Sequence, residues 1–288
     1  MFQTADTLLG KEGRKWMGVH IVSYDWDGFQ PELLIFDQES RELSKLELTV
    51  GQKIDWKLSE DKVCTGSFPD GDYQPCPRSL PVSSFDQCRR CSSSWIGVQE
   101  CVFEPQCDGE RCESAICRKE HTIYMAFFGA KAKIGMTTSA RLRERGTEQG
   151  ADAIGRLATA CNRKQGRELE NTISRLLKLP QIMRVDEAVK AMTRHPDGAA
   201  LCHLYGERAD VLHSTLGLQP EPLALLDRYP LLGEMGHLSR RHVTGRHVGE
   251  IIGIKGKLMA YRDPGGGSLV LQASSLPSHF LRQPRAKG

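Results

Sequence analysis

The chain has 288 residues, 39% hydrophobic and 26% charged, and its 39 Lys and Arg against 36 Asp and Glu leave a net charge of only +3. This is an ordinary globular composition, which argues against a fibrous repeat or a disordered tail. No apolar run approaches the roughly 18 residues of a membrane span. Residues 1–16 lack the apolar centre of a signal peptide, so the expectation is a cytoplasmic protein with no membrane partner.

Residues 1–62 read as a β-rich region. Trp16–Tyr24 is β-branched and aromatic, Leu33–Phe36 is short and apolar, and Leu46–Val50 alternates at period two. Turn residues separate these runs, which predicts a small antiparallel sheet or barrel.

Residues 63–120 hold eight of the ten cysteines: Cys64, Cys76, Cys88, Cys91, Cys101, Cys107, Cys112 and Cys117. The intervening sequence is rich in Ser, Pro, Asp and Gly and cannot bury enough apolar area to fold unaided. Without an export signal, a disulfide framework is disfavoured and clustered thiolates point to zinc. Cys88-Arg89-Arg90-Cys91 is a CxxC pair that can chelate from one tight turn. Eight thiolates suit one or two structural zinc ions, with His121 as a spare ligand and the grouping left open. An all-cysteine shell leaves no position for water, so the metal is expected to be structural. Cys161 and Cys202 read as plain buried thiols.

Residues 121–180 predict an α/β core. Thr122–Phe128 and Lys131–Gly135 form a hairpin around Gly129-Ala130. A helix capped by Thr138 or Ser139 runs through Arg141, Arg143 and Arg145, and Ala153–Ala158 is a third strand. Arg163–Leu177 is a helix with Leu169, Ile173, Leu176 and Leu177 on one face. Residues 181–245 read as short helices broken at Pro196, Gly198, Gly206, Pro220 and Pro222. Residues 246–288 return to strands, with Ile251–Tyr261 and Ser268–Gln272 flanking a turn at 263–267. The fold class is α+β.

Between Arg118 and Arg194, sixteen Lys and Arg stand against eight Asp and Glu, although the whole chain is nearly neutral. A locally basic hairpin and two helices suggest a surface for DNA or RNA, with Lys131, Arg141, Arg143, Arg163 and Arg167 as contacts.

Thr122-Ile123-Tyr124 followed by Lys133-Ile134-Gly135 resembles the paired motifs of the GIY-YIG endonuclease superfamily. The order Cys76-Pro77, Cys88/Cys91, His121/Tyr124, Lys133–Thr137, Arg145/Gln149-Gly150-Ala151 and Arg163/Glu170 is similar to a prokaryotic family of unknown function. That family joins a cysteine-rich module to such a core. A glycine-rich strand at Gly253-Ile254-Lys255-Gly256 also fits. The resemblance implies a catalytic set of Tyr124, Lys133, Arg145, Gln149 and Glu170. Tyr124 orients or deprotonates the attacking water, while Arg145 (or Arg143, at the more usual offset) grips the phosphate.

Phosphodiester hydrolysis needs a divalent ion and a cation for the charge of the transition state, and Glu170 is a hard oxygen ligand suited to Mg²⁺ or Mn²⁺. Thr122, Lys133 and Gln149 depart from the commonest superfamily residues. The alternative to a nuclease is therefore a zinc-containing protein that binds RNA or the ribosome without cutting.

Overall fold

The structure, a computed structural model, describes residues 18–92, 101, 104–108, 110, 114–194, 196–233 and 235–282. Strands β1 (Val19–Asp27), β2 (Gln30–Asp37), β3 (Leu43–Glu47) and β4 (Lys53–Leu58) come first. Beyond the cysteine segment lie α1 (Ala115–Arg118), β5 (His121–Phe128), β6 (Lys131–Thr138), α2 (Leu142–Gln149), β7 (Ala153–Ala160) and α3 (Arg163–Leu177). Helices α4 (Val185–Met192) and α5 (Gly198–Leu216) precede β8 (Ala224–Leu225), β9 (Ser239–Arg240) and β10 (Gly245–Lys255). The chain ends in β11 (Leu258–Arg262), β12 (Ser268–Gln272) and β13 (Phe280–Arg282). This is an α+β fold, as the sequence implies.

The chain divides into two compact units, one drawn from 1–93, 239–254 and 258–288, the other from 94–238 with 255–257. Among the described residues of the first unit, one nine-stranded sheet runs in the order β3-β2-β1-β13-β4-β10-β11-β12-β9. Residues 1–62 and 246–288, separate regions in the sequence reading, thus supply neighbouring strands. β13 lies between β1 and β4, with Leu281 opposite both Val19 and Leu58. Ile54, Trp56 and Leu58 alternate inward along β4. That strand escaped the sequence reading because Lys53, Asp55 and Lys57 dilute a six-residue run. The stretch Ile251–Tyr261, expected as one strand, is the end of β10 and most of β11 folded about Gly256, whose φ of +55° suits glycine.

In the second unit a four-stranded sheet of the described residues runs β6-β5-β7-β8. Every residue of β5 is buried, as a central strand with both faces covered requires. Ile123, Met125 and Phe127 share one face and pack with Ile173 of α3 and with Leu201, Tyr205 and Leu212 of α5. Tyr124 takes the opposite face, because side chains alternate along a strand. Helix α3 spans the predicted residues. Asn162 caps it by accepting from the Gln165 N–H at 2.9 Å, and its apolar stripe meets the sheet.

Two expectations fail here. The helix after β6 is a 3₁₀ turn at Ser139–Arg141 before α2 begins at Leu142. Gly206 does not break α5, which runs unbroken for 19 residues from its Asp197 cap to Gly217. Burying Leu201, Tyr205 and Leu212 outweighs the roughly 1 kcal/mol that a helical glycine costs.

One buried ion pair was not anticipated. The Lys255 ammonium donates to the Asp152 carboxylate, both almost completely buried. Lys255 also donates to the Ala191 carbonyl at 3.2 Å, and Asp152 accepts from the Gly129 N–H at 2.6 Å. Removing one partner strands a charge away from water, at a cost of about 3–5 kcal/mol. Lys255→Met is therefore expected to lower the unfolding free energy by about that amount in urea titration. Arg246→Ala, which breaks an exposed pair with Asp55, should leave the midpoint nearly unchanged.

Candidate functional site

The first unit gathers Cys64, Cys76, Cys88 and Cys91 with all four sulfurs within 4.8 Å of one another. Zinc–sulfur bonds of about 2.3 Å place tetrahedral thiolates about 3.8 Å apart, so this set can hold a structural zinc. The CxxC closes as a tight turn, with the Cys91 and Ser92 N–H groups donating to the Cys88 carbonyl at 3.0 and 2.9 Å. The Cys88 N–H points at the Cys64 sulfur, 3.1 Å away. Cys64, Cys76 and Cys91 are buried and Cys88 is half-buried.

Burial raises the Cys64 and Cys91 thiols, and their sulfur neighbours raise Cys91 further. Burial also pushes Cys88 up, but backbone N–H groups and the thiols of Cys64 and Cys91 outweigh it and bring Cys88 to about 7. Four thiols so crowded cannot all ionise without a cation among them, which is the chemistry of a thiolate metal centre.

The other cysteines are placed differently. Cys101, Cys107 and Cys117 are buried but form no metal-spaced group of three among the described residues, and Cys112 lies outside those residues. His121 is outside the cluster, its ring nitrogen Nδ1 donating to the Lys119 carbonyl at 2.8 Å. Cys161 and Cys202, expected to be buried, are exposed.

The second unit builds a polar cluster on the β5–β6 hairpin. Tyr124 pairs across the strands with Gly135, and a Cβ at position 135 would come within 2.4 Å of the tyrosine ring and hydroxyl. Only glycine therefore leaves room for the ring. Lys133, on the same face two residues away, sets its ammonium 5.5 Å from the centre of that ring. Helix α2 contributes Gln149, whose Nε2 donates to Tyr124 Oη at 3.0 Å, and Arg145, which lies within reach of the same hydroxyl. From α3 comes the buried Glu170, whose charge is felt by both Tyr124 and Lys133.

Two of the five, Tyr124 and Lys133, are moved from their ordinary ionisation by these surroundings. Burial raises Tyr124 above the usual phenol value, against the pull of Arg145 and Gln149. For Lys133, burial and the charges of Arg145 and Lys257 outweigh Glu170 and bring the ammonium down to about 8.

The remaining cations divide by environment. Lys131 and Arg143 are exposed, so of the two arginines it is Arg145 that faces Tyr124. Arg141 is paired with Glu144 and Glu148. Arg163, expected on a nucleic-acid face, is instead buried, donating to the Cys101 carbonyl. Arg167 bridges Glu170 at 2.8 Å, Glu104 at 2.6 Å and the Gln181 side chain at 2.7 Å.

Gln181 was missed in the sequence. It takes Lys133 on its carbonyl at 3.3 Å, Arg167 on Oε1 and, through Nε2, holds Asn171 at 2.7 Å. No local pattern marks such a residue, since its value lies in reaching β6 and α3 together.

Residues 51–198, half of the chain, match the model of a family described as Protein of unknown function (DUF2797), and the chain belongs to that family. No curated protein and no solved structure matches. Elemental analysis of purified protein is expected to return about one zinc for the Cys64/Cys76/Cys88/Cys91 site, and Cys88→Ser together with Cys91→Ser should remove it. A structural zinc contributes roughly 10–16 kcal/mol of binding free energy. Zinc content far below one per chain, or unchanged in the double variant, would show that the four thiols are not ligands.

Proposed function

We propose that this member of the DUF2797 family is a zinc-stabilised, metal-dependent nuclease of GIY-YIG type that hydrolyses phosphodiester bonds in DNA or RNA. The observation that supports the reading most is the gathering of Lys133, Arg145, Gln149 and Glu170 about the buried Tyr124 side chain. They come from one hairpin and two helices, and structural need alone does not call for a buried lysine, a buried glutamate and an arginine about one phenol.

Glu170 offers one buried carboxylate whose Oε2 is held by Arg167. A single hard oxygen fits Mg²⁺ or Mn²⁺ that keeps most of its waters, rather than a dehydrated cage. When bound, such an ion neutralises phosphate charge. Arg145 grips a phosphate oxygen and stabilises the transition state. Gln149 fixes the Tyr124 hydroxyl, and Tyr124, kept protonated by burial, orients the water. Lys133 is then the better base of the two. The water proton passes to its neutral amine as the water oxygen attacks phosphorus, the bond to the leaving oxygen breaks, and that oxygen takes a proton from solvent.

Binding without cutting is the second reading, favoured by the Arg167–Glu170 bridge, which ties up the carboxylate in an ion pair on its own helix. Structured and single-stranded DNA and RNA incubated in Mn²⁺ separate the two. Nicking by wild type is expected, lost in Glu170→Ala and reduced about 10²–10³-fold in Arg145→Ala. Salt-sensitive binding with no nicking by wild type selects the second reading, and nicking that survives Glu170→Ala overturns the site.

The base assignment has its own signature. Lys133 accepts a proton only when neutral, and its ammonium, faced by Arg145, Lys257 and Glu170 and lying over Tyr124, loses its proton near pH 8. kcat/KM is therefore expected to climb as pH rises through about 8, and Lys133→Met should flatten that limb.

A further inference from the structure

The turn at Gly256-Lys257 lies nearly sixty residues beyond the family match, yet it packs on the helix that carries Arg145 and Gln149. The contact is backbone to backbone. A Cβ on Gly256 would come within 2.1 Å of the Gly150 nitrogen and 2.4 Å of the Gln149 carbonyl carbon. A Cβ on Gly150 would come within 3.0 Å of the Lys255 carbonyl oxygen. Both glycines have positive φ, +76° at the C-cap of α2 and +55° in the turn. Immediately before the turn, the buried Lys255–Asp152 pair anchors it from below, and the Lys255 ammonium lies 5.6 Å from the centre of the Tyr229 ring. The next residue, Lys257, is exposed.

The contact sets the turn and its lysine beside the C-terminus of α2. Three charged groups interact with Lys257 there. Arg145 and Glu148 on α2 both act on the Lys257 ammonium, and Lys257 in turn acts on Lys133 of β6. Glu148 is itself engaged by Arg141 and Arg145. Arg145 thus acts on two lysines, Lys133 beside Tyr124 and Lys257 on the turn. The nearby carboxylates, Glu148 and Glu170, are each already bridged to an arginine. Like charges gathered so closely repel unless an anion sits among them.

We propose that Lys257 is a second phosphate-gripping cation beside Arg145, delivered by the Gly256-Lys257 turn, which the backbone contact of Gly256 with Gly150 holds in place. The inference rests on the nucleic-acid reading above and deepens it. The anion it recognises is a backbone phosphate of a single strand or a strand end, beside the one Arg145 takes.

The test uses the full chain and fluorescein-labelled single-stranded DNA and RNA, with binding measured by anisotropy across a salt series. Wild type should show a steep linear fall of log K with log salt. Lys257→Met should reduce the magnitude of that slope by about 0.7, the loss of one single-strand phosphate contact, and Lys257→Arg should restore it. Arg145→Met run alongside should give a similar loss. A merely structural role for Lys257 would move the thermal midpoint and leave the slope alone.

A wild-type slope in Lys257→Met beside a reduced slope in Arg145→Met overturns this assignment while sparing the nucleic-acid reading. Absence of salt-dependent binding to either single strand by wild type overturns this assignment, and if structured DNA and RNA are neither bound nor nicked the nucleic-acid reading falls with it.

Discussion

The candidate site depends on the missing side chain at position 135. Tyr124 is almost fully buried in a central strand, and its ring occupies the space that a Cβ on Gly135 would need. The strand register puts those two residues directly opposite each other, so the ring lies across bare backbone and its hydroxyl reaches Gln149 on α2. Any side chain at 135 would lift the ring and separate it from Gln149 and Arg145. The same device recurs behind the sheet, where Gly155 leaves room for Tyr205, whose hydroxyl donates to the Arg156 and Glu221 carbonyls.

Charge in the second unit is sorted into two kinds of environment. Lys255 and Asp152 are buried and mutually satisfied, with further hydrogen bonds on each, so they serve the fold. Around Tyr124 the balance is incomplete, with cations gathered near one face and the carboxylates bridged to arginines on their own helices. Satisfied buried pairs contribute little chemistry, whereas an excess of one sign beside a low-dielectric wall concentrates counter-charge. Arg167 ties Glu170 of α3 to Glu104 and to Gln181, which in turn receives Lys133.

The cysteine cluster does comparable work in the first unit by different means. Val63 and Ser67, on either side of Cys64, bridge to Pro81 and Gln74, Val82 packs on the cluster, and Tyr73 packs against Phe36 and Phe68, while Phe68, Leu80 and Phe85 stay exposed. Asp86 adds polar support, accepting from Lys62 at 2.8 Å and from the Ser278 hydroxyl at 2.9 Å. A segment rich in Pro, Gly and Asp with so small a core needs a cross-link, and four convergent thiols supply the ligands for one.

Much of this was readable along the chain. The β5–β6 hairpin, α3 over Arg163–Leu177, and the zinc-type chemistry of the cysteines follow from local rules, because alternation, helical spacing, turn residues and ligand type act between near neighbours. The resemblance, which itself rests on local motifs, singled out Tyr124, Lys133, Arg145, Gln149 and Glu170. What they could not deliver were relations between distant segments. Which four thiols meet, the seat of β13 between β1 and β4, the partner of Asp152 more than a hundred residues away and the contact of Gly256 with Gly150 all depend on how the chain closes. Burial also reversed readings made by residue type, hiding Arg163 and exposing Cys161 and Cys202, because solvent exposure belongs to packed surfaces and not to residues taken singly.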